Sequence, residues 1–99
     1  MAYGYIGSMK TKAGRRDDVV SILLAGVDGL RKSGCHLYVV GSAHADDNTI
    51  WVSEVWESKD LHDASLQLPE AKAAISQAMP MLTGEFTSQE FTVEGGVGV

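Results

Sequence analysis

Ninety-nine residues suffice for one domain with a modest core. Apolar residues make up 44% and charged residues 21%, and the net charge of −5, with no basic cluster beyond Arg15-Arg16, argues against a nucleic-acid partner. The chain contains a single cysteine, so no intrachain disulfide can form, and no segment approaches the ~20 apolar residues of a membrane span. With no signal-peptide-like start, the expectation is a cytoplasmic protein that contacts neither membrane nor nucleic acid.

In chain order, residues 3–11 alternate, with Tyr3, Tyr5, Gly7 and Met9 on one face and Gly4, Ile6, Ser8 and Lys10 on the other, which predicts a strand. The basic pair Arg15-Arg16 is followed at once by Asp17-Asp18, which reads as a solvated helix start. A helix opened by Gly14 then buries Val19, Ile22, Leu23, Val27 and Leu30 and stops at Ser33-Gly34. Gly26 falls within its apolar arc, where glycine costs about 1 kcal/mol against alanine. Close packing on the sheet, or room for a bound molecule, would account for it. Cys35 opens the next strand either as a small buried apolar residue or as a reactive thiol beside His36.

Residues 36–43 and Thr49–Trp56 predict a hairpin joined by the polar turn Asp46-Asp47-Asn48. Ser58 is placed to N-cap a short helix, and Pro69 restarts the chain as a second helical piece ended by Pro80. Leu68, Ala71, Ile75, Ala78, Met79 and Leu82 form its expected buried stripe. Glu85–Val93 predicts the last strand, and residues 94–99 a tail. The whole chain thus reads as a single domain, 1–99, with a core of about 3–93. The order β-α-β-β-α-β predicts an α+β, ferredoxin-like fold with a four-stranded antiparallel sheet. Trp51 and Val55 on one sheet face oppose Ile50, Val52 and Trp56 on the other, so a sheet covered on one side only implies a homodimer packed through the sheet face.

Chemistry concentrates in Ser53-Glu54-Val55-Trp56-Glu57-Ser58-Lys59-Asp60-Leu61-His62, where a strand gives way to a helix. Glu54 and Trp56 share a strand face, and His62 follows on the first turns of the helix. The same block, continued through Asp63-Ala64-Ser65-Leu66 and Leu68-Pro69-Glu70, resembles the antibiotic biosynthesis monooxygenase family. So does Gly14-Arg15-Arg16-Asp17-Asp18-Val19-Val20, and the similarity covers roughly residues 3–93.

That resemblance implies a dimeric α+β barrel. It also implies oxygenation of a small reduced aromatic (a quinol, an anthrone or a polycyclic phenol) by O₂ with no metal, flavin or other cofactor. Trp56 matches the family's strand-end tryptophan, which is held to contact substrate. Quinone-forming members carry an asparagine four residues earlier, and Val52 stands there in this chain. Haem-degrading members need an asparagine on the first strand and a histidine about ten residues past the tryptophan; Tyr3–Thr11 contains no asparagine and Leu66 occupies the second place, which argues against haem degradation.

The candidate catalytic residues are therefore Trp56, His62 and Glu54. His62 is the candidate base, against the alternative of an idle surface histidine. Glu54 would orient His62, take the substrate proton itself if burial raises its pKa, or simply pair with a nearby cation. Trp56 would touch substrate or serve as core, its indole N–H donating to Glu54. Val52, Tyr5, Tyr38 and Met79 are the candidate substrate-binding residues, and Tyr3 is a further phenol on the flanking strand. No close ligand spacing among His, Cys and carboxylates predicts a metal site, and no glycine-rich strand–helix loop predicts a nucleotide. Two other readings remain open: a non-catalytic dimer that binds an apolar ligand, and an isomerase or lactone-processing enzyme using His62 as proton shuttle.

Overall fold

The four predicted strands form as β1 (Tyr3–Thr11), β2 (Cys35–Ser42), β3 (Thr49–Trp56) and β4 (Leu82–Thr92) in the computed structural model, which describes residues 2–99. Between them lie α1 (Arg16–Leu24), α2 (Val27–Leu30), α3 (Lys59–Ser65) and α4 (Pro69–Ala78). The strands pair antiparallel in the order β2-β3-β1-β4, the ferredoxin-like arrangement. The helical segments cover the face that carries Ile50 and Val52, and the buried core is Val19, Ile50, Val52 and Ala78. Met9, Tyr38, Val40, Ile22, Leu23 and Leu82 pack around it. Antiparallel partners point to the same side of the sheet, so the register turns this covered face into a grid. One row runs Tyr38–Glu54–Tyr5–Glu90, the next Val40–Val52–Gly7–Ser88.

Local chemistry explains the helix ends after β3. The Ser58 hydroxyl accepts from the Leu61 backbone N–H at 3.2 Å and caps α3. Pro69 then begins α4 at a first-turn position, where its missing N–H costs nothing. In the β2–β3 hairpin, Asp46 accepts from the backbone N–H groups of Asn48 and Thr49 at 2.7 and 2.8 Å, which holds its carboxyl below the ordinary range. Arg16 reaches this loop and donates to the carbonyls of Asp46 and Ala43, so it pins the hairpin rather than standing free in solvent.

Three sequence expectations are corrected. The helix expected to run from Gly14 to its stop at Ser33-Gly34 breaks at Ala25, which is extended, and Gly26, which adopts φ +81°. A Cβ on Gly26 would meet nothing within 4 Å, so the glycine serves neither close packing nor ligand space; it makes the left-handed turn between α1 and α2. In α4 the inward stripe consists of Ala71, Ala74 and Ala78, while Leu68, Ile75 and Met79 lie exposed on its flanks and ends. Small residues therefore face the sheet where large ones were expected. Finally, β4 begins at Leu82, because a bulge between the pairs Met9–Phe86 and Thr11–Leu82 lets the strand continue past Gly84, at φ +93°.

The opposite sheet face carries Ile6, Leu37, Val39, Trp51, Val55 and Phe91, and no helix among the described residues lies over it. Val39, Trp51 and Phe91 are each about half exposed there. Phe91 lies over Gly4, where a side chain would collide with its ring. The sheet stays open at β2 and β4 and does not close into a barrel within one chain. No helix among the described residues is long and apolar enough to cross a membrane.

Candidate active site

Gly7 forms part of the floor of the site. It sits in the middle of the covered face, between Val52 and Ser88 across the strands and between Tyr5 and Met9 along its own. A hollow of about 280 Å³ opens beside it. Tyr5, Tyr38, Val52 and Glu54 wall it from the sheet, Phe86 from β4, and Leu23 of α1 from above. That volume lies at the small end of the range for small-molecule sites, about 300–1,000 Å³. A Cβ on Gly7 would come within 2.9 Å of the Thr87 carbonyl oxygen and 3.0 Å of the Tyr5 hydroxyl, so the floor has no room for one.

Glu54 is the carboxylate in this wall, and its side chain is only 11% exposed. Burial pushes its pKa above the usual 4.5, while the Trp56 hydrogen bond and His62 pull against that rise. Trp56 Nε1–H donates to Glu54 Oε1 at 2.9 Å, and His62 Nε2 lies 3.9 Å from the same oxygen. His62 Nδ1 pairs with Asp63 Oδ1 at 3.0 Å. The imidazole is boxed by rings: Tyr5 stacks on it at 5.2 Å, Tyr3 lies tilted at 5.1 Å, and Trp56 meets it edge-on at 5.7 Å. Tyr3 donates to Glu90 Oε1 at 2.7 Å, and Lys59 reaches both Glu90 and Asp63, so the box is tied to β4 and to α3. The phenol of Tyr38 is pushed up to about 12, mainly by burial, so it stays protonated and able to donate.

The structure brings Glu54, Val52, Tyr5 and Tyr38 together on the cleft wall. Trp56 and His62 do not line the cleft; they are buried behind Glu54 and Tyr5, at 1% and 7% exposure. Met79 stands apart from it altogether, exposed in the turn after α4, because the alanine stripe turns its side chain outward. Gly7, Leu23, Phe86 and Ser88 went unnoticed as cleft residues. A glycine inside an otherwise alternating strand was the available signal, since such a position marks a close approach or a gap. Cys35 is buried with its thiol donating to the Leu37 carbonyl, and burial raises its pKa, as in an inert core thiol. Among the described residues, no three His, Cys, Asp or Glu side chains are grouped to hold a metal ion.

A ferredoxin-like α+β chain with one carboxylate in a small cleft between its sheet and α1 is the class that fold and site define. The sequence model of the antibiotic biosynthesis monooxygenase family matches residues 2–77, and the chain belongs to that family. A structure from Chloroflexus aurantiacus named for the antibiotic biosynthesis monooxygenases is 34% identical, with 98% of this chain and 99% of that one covered and a TM-score of 0.81. Rv0793 from Mycobacterium tuberculosis shares the fold at 15% identity and a TM-score of 0.82, over 98% of this chain and 99% of its own. A Nitrosomonas europaea protein, also named for the family, shares it at 10% identity and 0.84, over 97% and 90%. No curated protein matches the chain.

Proposed function

We propose that this chain is a cofactor-independent monooxygenase that oxidises a small reduced aromatic with O₂, and that Glu54 is its base. The observation that carries the reading is the buried Glu54 carboxylate in the wall of a cleft lined otherwise by uncharged side chains. Burial makes it a stronger base than a solvated carboxylate, and the Trp56 hydrogen bond keeps it ionisable. Trp56 and His62 act through Glu54 as positioning residues. Tyr5 and Tyr38 flank it on the neighbouring strands, within reach of a ligand oxygen.

An anthrone illustrates the balance. Its CH₂ carbon gives a proton to Glu54, and the enolate passes one electron to O₂. Ring radical and superoxide then join, and the proton held by Glu54 completes the hydroperoxide. Loss of water leaves a quinone carbonyl, so one oxygen atom enters the product and the other departs in water. Leu23, Val52 and Phe86 set apolar surface against the ring beside the radical pair. The homodimer belongs to the same proposal: the uncovered face around Trp51, Val39 and Phe91 would meet its own copy across a two-fold axis and complete an α+β barrel.

Val52 favours a second reading. It offers apolar surface where quinone-forming relatives offer an amide, which suits a protein that binds an aromatic without oxidising it. O₂ consumption by chelator-treated protein with anthrones and naphthalene diols separates the two, with Glu54→Gln run beside wild type because such substrates oxidise unaided. Uptake above the variant supports the oxygenase. Equal uptake, together with anaerobic binding, turns the assignment to a ligand-binding dimer.

A further inference from the structure

The charges around the cleft constrain what can enter it, beyond the reaction itself. Among the described residues lining it, Glu54 is the only one with a formal charge; the others are phenols, hydroxyls, glycine and apolar side chains. No Lys, Arg or His lines the wall. His62 lies behind Glu54 rather than in the wall, Lys59 is held by Glu90 and Asp63, Lys10 faces Glu85, and Arg16 is held by the hairpin carbonyls. The chain as a whole carries a net charge of −5, so the long-range field has the same sign.

A carboxylate or phosphate on a ligand would therefore be set beside Glu54 with no cation in the wall to pair with it, and juxtaposed like charges are costly. Hydroxyl groups meet the opposite situation. The row Tyr38–Glu54–Tyr5 crosses three strands at one level, setting an acceptor between two phenols, and Glu54 Oε1 already carries the Trp56 bond. The second carboxylate oxygen and the two phenols are then available to hydroxyls on a ring. Next to them Ser88 adds a hydroxyl from β4.

We infer that the cleft selects uncharged hydroxyarenes and rejects their carboxylated counterparts. This rests on the cleft being the substrate site proposed above, and it names the class of substrate that site takes.

Anaerobic calorimetry with a size-matched pair tests it: 1,4-dihydroxy-2-naphthamide against 1,4-dihydroxy-2-naphthoate. Wild type should bind the amide, and the acid about a hundredfold more weakly, as expected for juxtaposed like charges. Ser88→Arg adds a cation on an exposed strand position at the cleft mouth and should narrow that ratio about tenfold or more. Equal binding of both compounds by wild type overturns the inference, as does a ratio that Ser88→Arg leaves unchanged. Failure to bind either compound overturns both the inference and the choice of cleft. Selective binding without O₂ uptake supports the inference and sinks the oxygenase reading alone.

Discussion

Trp56 and His62 converge on one atom, Glu54 Oε1, which the indole N–H meets at 2.9 Å and the imidazole Nε2 approaches to 3.9 Å. Two residues from the end of a strand and the start of the next helix thereby fix the orientation of a third. Asp63 holds the other imidazole nitrogen at 3.0 Å, so the ring is tethered on both sides. The cleft meets only the carboxylate end of this arrangement.

Glu54→Gln tests the base directly. The amide oxygen still accepts from Trp56 Nε1–H, so the side chain keeps its place while losing its basicity. O₂ uptake by the variant should fall by about 10²–10⁴-fold, the usual contribution of a positioned base. A kcat/KM within a few-fold of wild type would remove Glu54 from the mechanism.

Trp56→Phe should move the pH profile rather than abolish activity. The indole N–H stabilises the ionised form of Glu54, and its loss lets burial raise the carboxyl pKa further. A base works ionised, so the acid limb of kcat/KM against pH moves to higher pH. An unshifted limb would show that Trp56 does not act through Glu54.

Much of this was legible in the sequence because it depends on local spacing. Strand alternation located Tyr3–Thr11 and Thr49–Trp56, and Ser58 and Pro69 marked helix starts through their own chemistry. The block from Glu54 to His62 lies within nine residues, so its members were bound to leave the chain together. The cleft was not legible in the same way. Gly7, Ser88 and Phe86 become neighbours only through the β1–β4 register, and Leu23 only through the seating of α1. Gly26 and Met79 were misjudged because helical periodicity assumes an unbroken helix and a large-residue stripe, whereas a left-handed turn and an alanine stripe replaced them.

Gly7→Ala should damage fold and cleft together. The added Cβ would press on the Thr87 backbone carbonyl, which only a shift of β4 can relieve. Overpacking of this kind costs about 1–3 kcal/mol. In a domain of this size that lowers Tm by roughly 5 °C or more, and the naphthamide should bind more weakly at a temperature where the variant remains folded. Unchanged affinity would mean that Gly7 does not form the ligand floor.

Trp51→Glu addresses the uncovered sheet face. Trp51 is 43% exposed in the single chain, so a charge there should leave the circular dichroism spectrum unaltered. In an isologous dimer the substitution brings in two like charges near the two-fold axis. Light scattering should then report half the wild-type mass. A wild-type mass in the variant would mean that another surface, or none, makes the dimer.

Stability against pH gives a check on Glu54 that needs no substrate. Its pKa is raised on folding from an ordinary 4.5, so between 4.5 and the folded value the native state binds more protons than the unfolded one. Stability contributed by this group therefore falls as pH rises through that window, and the penalty stays in full above the folded pKa. Asp63 and Glu90 run the other way: their pKa values are lowered by His62 and by Tyr3 respectively, so what they contribute is lost as pH falls through their folded values. Glu54→Gln removes only the first effect. The Tm of the variant minus that of wild type should start near its minimum below pH 4.5 and increase above it, then level off. A difference that stays flat across the acid range would show that the carboxyl is not strained by burial, and the case for Glu54 as the base would lose its physical ground.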